Sequence, residues 1–193
     1  MTEVVATTDR LILRTWDRAD RAVFLRHLNT PSVMRWLGGV QDDSTAHAAL
    51  DRVDGFQRDY GHTFWIVERR AGPGELDGEL LGFCGLKRVN ADGTELTGQH
   101  EIGWRLREDA WGQGFAREAA TASLDLAFGR FAAPHVVAFT VAGNEGSWRL
   151  MERLGMTRRA DLDYDDPRYS GDLNPTIVYR ITADEWINSR SVR

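Results

Sequence analysis

Trp111-Gly112-Gln113-Gly114-Phe115-Ala116 stands between two stretches of different character. Before it lies an apolar run that carries an acid, Glu101-Ile102-Gly103-Trp104-Arg105-Leu106, which reads as a strand. After it, residues 115–131 have helical spacing. Strand, small-residue turn and helix N-terminus, in that order, make a site for an anionic group. Glycines let backbone N–H groups approach the anion, and the first turn of a helix leaves its N–H groups unpaired and partly positive. The expected chemistry is the binding of a phosphate-bearing cofactor.

The elements that must position this turn follow from periodicity and punctuation. Residues 10–16 read as a first strand. Asp17 suits the N-cap of a helix carrying Phe24, Leu25 and Leu28. Pro31 opens a short helix ended by Gly38-Gly39, and Ser44 is the expected cap of a third helix that stops at Gly61. Two strands follow, 63–67 and 79–86, and the turn-rich Ala71-Gly72-Pro73-Gly74 between them predicts a hairpin. The helix after the glycine turn has two adjacent apolar stripes, one through Phe115, Ala119, Ala122 and Leu126, the other through Ala120, Leu124, Ala127 and Phe131. A band that wide packs on a sheet. Val136-Val137-Ala138-Phe139-Thr140-Val141 reads as a strand covered on both faces, followed by a helix at 147–154 and strands at 157–163 and 176–181. The expected fold is one α/β domain over residues 1–193, with a mixed sheet of about seven strands flanked by helices.

Bulk properties narrow the partners. A chain of 193 residues, 42% hydrophobic, is long enough for one well-buried core and short for two. No apolar run approaches the ~20 residues that span a bilayer, and Met1-Thr2-Glu3-Val4-Val5-Ala6 shows no signal peptide. The single cysteine, Cys84, excludes an intrachain disulfide and cysteine-based zinc spacing. A cytoplasmic protein without a metal or a membrane partner is expected, as a monomer or a homodimer. A net charge of -5 argues against nucleic acid and weakly favours cationic partners such as amines.

A second segment completes a pattern: Asn144-Glu145-Gly146-Ser147-Trp148-Arg149-Leu150-Met151-Glu152-Arg153-Leu154-Gly155-Met156. With the glycine turn extended to Arg117-Glu118-Ala119, the opening Arg10-Leu11-Ile12-Leu13-Arg14 and the strand Glu101-Ile102-Gly103-Trp104, the chain resembles a GNAT-family N-acetyltransferase. Within that family it is similar to the branch of ribosomal-protein alanine acetyltransferases. The likeness covers nearly the whole chain and is weakest over 161–174. Two departures stand out. Trp111 fills the first position of the cofactor loop, where the family often has Arg or Gln. Met151 stands where many relatives have a tyrosine that protonates the departing thiolate.

The resemblance implies acetyl-CoA as donor and a primary amine, either a protein N-terminus or a small molecule, as acceptor. Attack is direct, without a covalent enzyme intermediate. Glu101 is the expected general base, on the strand that leads into the cofactor loop. Alternation puts Glu101, Gly103 and Arg105 on one face of it. A backbone N–H near Trp104, Arg105 or Leu106 is expected to meet the developing oxyanion. The amides of Gly112, Gln113, Gly114, Phe115, Ala116 and Arg117 would hold the pyrophosphate. Asn144 would hold the pantetheine arm and Ser147, which the branch has in place of the tyrosine, would protonate the thiolate. Arg105, Arg107, Arg149 and Arg153 are candidates for the phosphates, and Tyr164 is a reserve proton donor.

Plainer readings compete. The glycine loop is also an ordinary strand–helix turn, Glu101 a surface carboxylate or the partner of Arg105, Ser147 a helix cap and Asn144 a turn residue. His62, His100 and His135 read as structural or exposed, and Cys84 as a small core residue. Trp36 and Trp65 are candidates to line an acceptor pocket, and the acidic run 161–166 would attract an ammonium group if it bordered that pocket. A rival function is a non-catalytic CoA-binding sensor or interaction module; a nucleotide-binding α/β protein lacks its phosphate-loop motif here.

Overall fold

The computed structural model describes residues 2–70, 72 and 76–191. In chain order the elements are β1 (Val4–Thr7), β2 (Leu11–Arg14), α1 (Asp20–Leu28), α2 (Pro31–Met34), α3 (Asp43–Tyr60), β3 (Phe64–Arg69), β4 (Leu80–Arg88), β5 (His100–Leu106), α4 (Phe115–Gly129), β6 (His135–Val141), α5 (Glu145–Arg153), β7 (Thr157–Arg158), β8 (Thr176–Thr182) and α6 (Ala183–Ser191). Hydrogen-bonded strands follow the order β1-β2-β3-β4-β5-β6-β8-β7. β5 runs parallel to β6, in register at Glu101↔Val137, while β1–β2, β2–β3, β3–β4, β6–β8 and β7–β8 are antiparallel. The mixed, mostly antiparallel sheet is the one expected, with β1 as an eighth strand. The chain divides into two compact units: residues up to Lys87 with Gly103–Ser123, and Arg88–Ile102 with residues from Leu124 onward.

In the first unit, Phe24, Leu28, Val33, Leu50, Ile66, Leu80 and Phe83 form a buried cluster. Its centre is aromatic: Phe83 stacks on Phe24 at 5.5 Å and on Phe64 at 4.8 Å, and Trp16 meets Phe24 edge-on at 5.0 Å. Each such side chain removed from water stabilises the unit by about 1.5–3 kcal/mol. The polar frame is ionic. Arg14 donates to both oxygens of Asp20, at 2.7 and 2.9 Å, and to Glu68 at 2.8 Å. The bond to Asp20 outweighs burial and raises the Arg14 guanidinium above its usual value, and Asp20, its partner, is buried.

Helix ends are close to the expected ones, with two shifts. α1 begins at Asp20 rather than directly after Asp17, because the Asp17 side chain accepts from the Ala19 amide and the Asp17 amide donates to Asp20. Asp42, not Ser44, caps α3 by accepting from the Thr45 amide at 2.8 Å. Pro31 opens α2 and Gly61, at φ +70°, ends α3. β3 and β4 form the expected antiparallel pair; Ala71, Pro73 and Gly74 of its turn lie outside the described residues. Val67 pairs with Gly82 and Glu68 with Leu80, so Leu81 is an extra residue in β4. At that irregularity Gly82 has φ +145°, and a Cβ there would lie 2.1 Å from the Arg105 carbonyl oxygen. Only glycine lets β4 pass so close to the β5 backbone.

In the second unit, Val89, Leu96, Val137, Tyr164 and Val178 form the buried cluster, with Phe139 against it. β6 and β8 pair over seven positions, from His135↔Thr182 to Val141↔Thr176. The strand expected over 157–163 is cut to Thr157–Arg158, because Arg158 turns to Asp163 and Arg159 to Asp161, and a single 3-10 turn forms at Ala160–Leu162. α6 opens with a reciprocal cap. Glu185 accepts from the Thr182 amide at 2.7 Å, and the Thr182 hydroxyl accepts from the Glu185 amide at 3.3 Å.

Replacing Gly82 by alanine should cost about 3 kcal/mol or more, since it combines a forbidden backbone angle with a clash against main chain. Urea unfolding measures this; a loss below about 0.5 kcal/mol would contradict the close approach at Arg105.

Candidate functional site

The turn before α4 is built to hold backbone N–H groups outward. Trp111 Nε1 donates to the Leu106 carbonyl at 2.8 Å, and Gln113 Nε2 donates to the Asp109 carbonyl at 2.8 Å. Arg107, only 8% exposed, braces the short 3-10 turn Glu108–Ala110 by donating to Asp109 at 2.6 Å and to Glu79 at 3.0 Å. That guanidinium is a brace rather than a phosphate ligand. Gly112 and Gly114 have φ +73° and +81°, angles that other residues rarely adopt. The first helical bond runs from the Glu118 amide to the Gly114 carbonyl at 3.1 Å. Among the described residues, no amide from Gly112 to Arg117 has a protein acceptor. Gly112, Gln113, Gly114 and Arg117 are exposed, while Phe115 is buried and anchors the helix. Exposed, unused amides at a helix N-terminus fit a diphosphate.

The residue pair that fixes this turn was not singled out from the sequence. Glu118, in the first turn of α4, accepts from the Thr8 hydroxyl at 2.5 Å, the Arg10 amide at 2.9 Å and Arg10 Nε at 2.7 Å. Arg10 Nη1 donates to the Gln113 carbonyl at 2.9 Å, and its guanidinium lies 4.6 Å over the Phe115 ring. Both Arg10 and Glu118 stand in the motifs, but 108 residues separate them, and no local pattern pairs them. Burial is the largest influence on Glu118 and opposes ionisation. The Thr8 hydroxyl and the two Arg10 donors together outweigh it and hold the carboxyl below its usual range.

The rest of the expected set divides between the units. In the first, the Arg105 guanidinium lies over Phe83 at 5.2 Å and Phe24 at 6.0 Å. Trp104 is half-buried and Leu106 is buried. Trp65, expected as a pocket wall, is wholly buried and donates to Gln57, so it belongs to the core. Cys84 is buried beside the Ser123 hydroxyl, and burial pushes its thiol up to about 12.

In the second unit, Glu101 is half-buried in β5. Asn144 occupies the position before α5, and its carbonyl accepts from the Ser147 amide at 3.1 Å. Its side chain makes no cap bond to the helix. Ser147 is therefore inside the helix and is not its cap. Arg149 pairs with Glu145 at 2.8 Å, with both side chains largely exposed, a contact worth about 0–1 kcal/mol and easily exchanged. Met151 is buried. Tyr164 is 8% exposed, and burial, then the charges of Glu101 and Asp166, push its phenol up to about 12. In the acidic run 161–166, Asp161, Asp163 and Asp166 pair with Arg159, Arg158 and Arg168.

Among the described residues no group of three or more His, Cys, Asp or Glu is arranged to hold a metal ion, and no helix is long and apolar enough to cross a membrane. The profile of the family described as "Acetyltransferase (GNAT) domain" matches residues 10–157. The chain is 31% identical over 150 residues to the uncharacterised protein YkkB of Bacillus subtilis, a match that covers 77% of this chain and 83% of that one. An acetyltransferase from Agrobacterium tumefaciens, 27% identical, superposes with a TM-score of 0.75 over 91% of this chain and 92% of its own. A spermidine N-acetyltransferase from Vibrio cholerae, solved with CoA and spermine, shares the fold at 18% identity and a TM-score of 0.72, over 94% of this chain and all of its own. The chain belongs to the GNAT acetyltransferase family and is an acyltransferase; the family's donor is acetyl-CoA.

Glu118→Gln should remove about 1–2 kcal/mol of stability and weaken CoA binding roughly threefold to tenfold. The wild-type contribution is full above the unfolded glutamate value of roughly 4.3 and disappears as pH falls through the lower folded value. Unfolding curves of both proteins between neutral pH and pH 3 check this; a gap that widens in acid would contradict it.

Proposed function

We propose that the protein is an N-acetyltransferase that transfers acetyl from acetyl-CoA to a primary amine by direct attack while both substrates are bound. The observation that carries this reading is the row of unused amides from Gly112 to Arg117 at the α4 N-terminus. These amides would hold the diphosphate, and several N–H bonds to a charged group contribute more than the helix dipole alone, which is about 0.3–2 kcal/mol. Asn144, whose side chain is not used to cap α5, would hold the pantetheine arm. Arg149 exchanges Glu145 for a phosphate at little cost.

Once deprotonated, the amine nitrogen adds to the thioester carbonyl carbon, and the tetrahedral adduct then breaks its carbon–sulfur bond. Glu101 takes the ammonium proton, directly or through water, a contribution of about 10²–10⁴-fold. A backbone N–H of the Trp104–Leu106 segment donates to the carbonyl oxygen as it gains charge. Ser147 gives a proton to the departing thiolate and regains one from the nitrogen of the adduct; the buried Met151 has none to give. Tyr164, a phenol that keeps its proton at neutral pH beside the Glu101 charge, is the second donor in line. In the same reading residues 1–193 act as one domain, in the cytoplasm, as a monomer or homodimer. The acceptor is a protein N-terminus, as the motif likeness to the ribosomal-protein alanine branch suggests, or a small amine.

Release of free thiol from acetyl-CoA with a panel of amines and N-terminal peptides tests the reading; CoA binding with no thiol released from any acceptor would overturn it. Glu101→Gln should lower turnover at least tenfold below the acceptor's pKa and progressively less above it. An unchanged rate at neutral pH removes Glu101 as base. Ser147→Ala should slow turnover with CoA affinity unchanged, and wild-type turnover would assign the proton to Tyr164 or water.

A further inference from the structure

The donor brings more charge than the glycine turn absorbs. Besides its diphosphate, coenzyme A carries a phosphomonoester on the 3′ carbon of its ribose, and such a group holds roughly two negative charges at neutral pH. Main-chain amides suit the diphosphate; a dianion is held best by charged donors. A group of three guanidiniums stands at the start of α4, in the same unit as the turn. Arg10 and Arg69 both lie over the Phe115 ring, at 4.6 and 5.5 Å. Arg10 Nη1 donates to the Gln113 carbonyl at 2.9 Å, and its Nη2 lies 3.4 Å from the point that a Cβ on Gly114 would occupy. The group therefore abuts the turn itself. Strand register brings its members together: Leu11 pairs with Arg69, and the Arg70 amide and Arg69 Nη1 each donate to the Arg10 carbonyl at 2.9 Å. Arg70 Nη1 donates to the Thr8 and Asp9 carbonyls at 2.8 and 3.1 Å.

The charge of this group is not balanced. Arg10 is paired with Glu118. Among the described residues, the side chains of Arg69 and Arg70 bond to main-chain carbonyls and form no ion pair with a carboxylate. Those bonds use Nη1 alone, so the Nε–Nη2 edge of each guanidinium has no protein acceptor among the described residues. Cations at a helix N-terminus repel its positive end as well as each other. An anion seated between them relieves both repulsions. Arg69 is half-buried and Arg70 exposed, so the group faces solvent on one side.

We infer that Arg69, with Arg10 and Arg70 beside it, binds the ribose 3′-phosphate of the donor and so selects coenzyme A over carriers that lack that group. The inference rests on the acetyl-CoA reading above. The monoester takes the Nε–Nη2 edge of the Arg69 fork, while the diphosphate keeps the amides of the turn. Calorimetric binding of CoA and of 3′-dephospho-CoA to wild-type protein and to Arg69→Gln tests it. Wild-type protein should bind CoA at least tenfold more tightly than 3′-dephospho-CoA. Arg69→Gln should weaken CoA at least fivefold and 3′-dephospho-CoA less than twofold. In wild-type protein the Arg69 Nε–Hε resonance should shift with CoA and stay in place with 3′-dephospho-CoA, a readout that needs no variant and decides the matter if Arg69→Gln misfolds. Equal binding of the two carriers, a folded variant that loses both alike, or an Arg69 resonance indifferent to the 3′-phosphate would overturn the inference and leave the acetyl-CoA reading standing. Failure of wild-type protein to bind either carrier would overturn both. Inorganic phosphate that moves the Arg69 resonance with an affinity equal to that of CoA would reduce the group to a general anion site and overturn the inference as well.

Discussion

A helix that offers its first amides to a diphosphate cannot also carry an uncompensated acid in its first turn. α4 carries one, Glu118. Left to itself, that carboxylate would satisfy the nearby amides and repel the ligand. Instead it is drawn off by three donors from outside the helix, the Thr8 hydroxyl and the amide and guanidinium of Arg10. The same guanidinium reaches the Gln113 carbonyl and so fixes the turn itself. One ion pair therefore does two things. It neutralises the charge that would compete with the ligand, and it holds the peptide planes that greet it.

The surrounding residues serve that arrangement by geometry more than by charge. Gly112 and Gly114 supply backbone angles, Trp111 and Gln113 tie the turn to Leu106 and Asp109, and Arg107 holds the preceding turn from beneath. Trp111 stands where relatives often place a cationic or amide side chain, and its indole serves as an anchor. The loss of one phosphate-directed side chain is compatible with binding by main chain. Two cations near the turn, Arg10 and Arg107, are each paired with a carboxylate, Glu118 and Asp109.

Much of this was readable from residue order. Gly61 and Pro31 mark helix ends by backbone angle alone, and the wide apolar band of α4 and the β-branched run of β6 announce burial. The signals that failed were of three kinds. β1 has no buried side chain, so no period-two pattern announces an edge strand. The strand expected at 157–163 has one β-branched residue, Thr157, and short-range ion pairs turn the chain after Arg158. The pairing of Arg10 with Glu118 spans 108 residues, beyond any local rule. α6, by contrast, carries a legible marker: Thr182-Ala183-Asp184-Glu185 is a capping box in sequence as in structure. Ser147 and Asn144 were separable only once the helix start was known, since either residue type can cap.

The central claim is that main-chain amides of the glycine turn hold the diphosphate of the donor. Amide shifts of Gly112, Gln113, Gly114, Phe115, Ala116 and Arg117, followed during titration with CoA and, separately, with pantetheine, which has the same thiol arm and no diphosphate, test it most directly. The account predicts large, saturable movement of these six amides with CoA and almost none with pantetheine. Tight CoA binding that leaves them unmoved would contradict it.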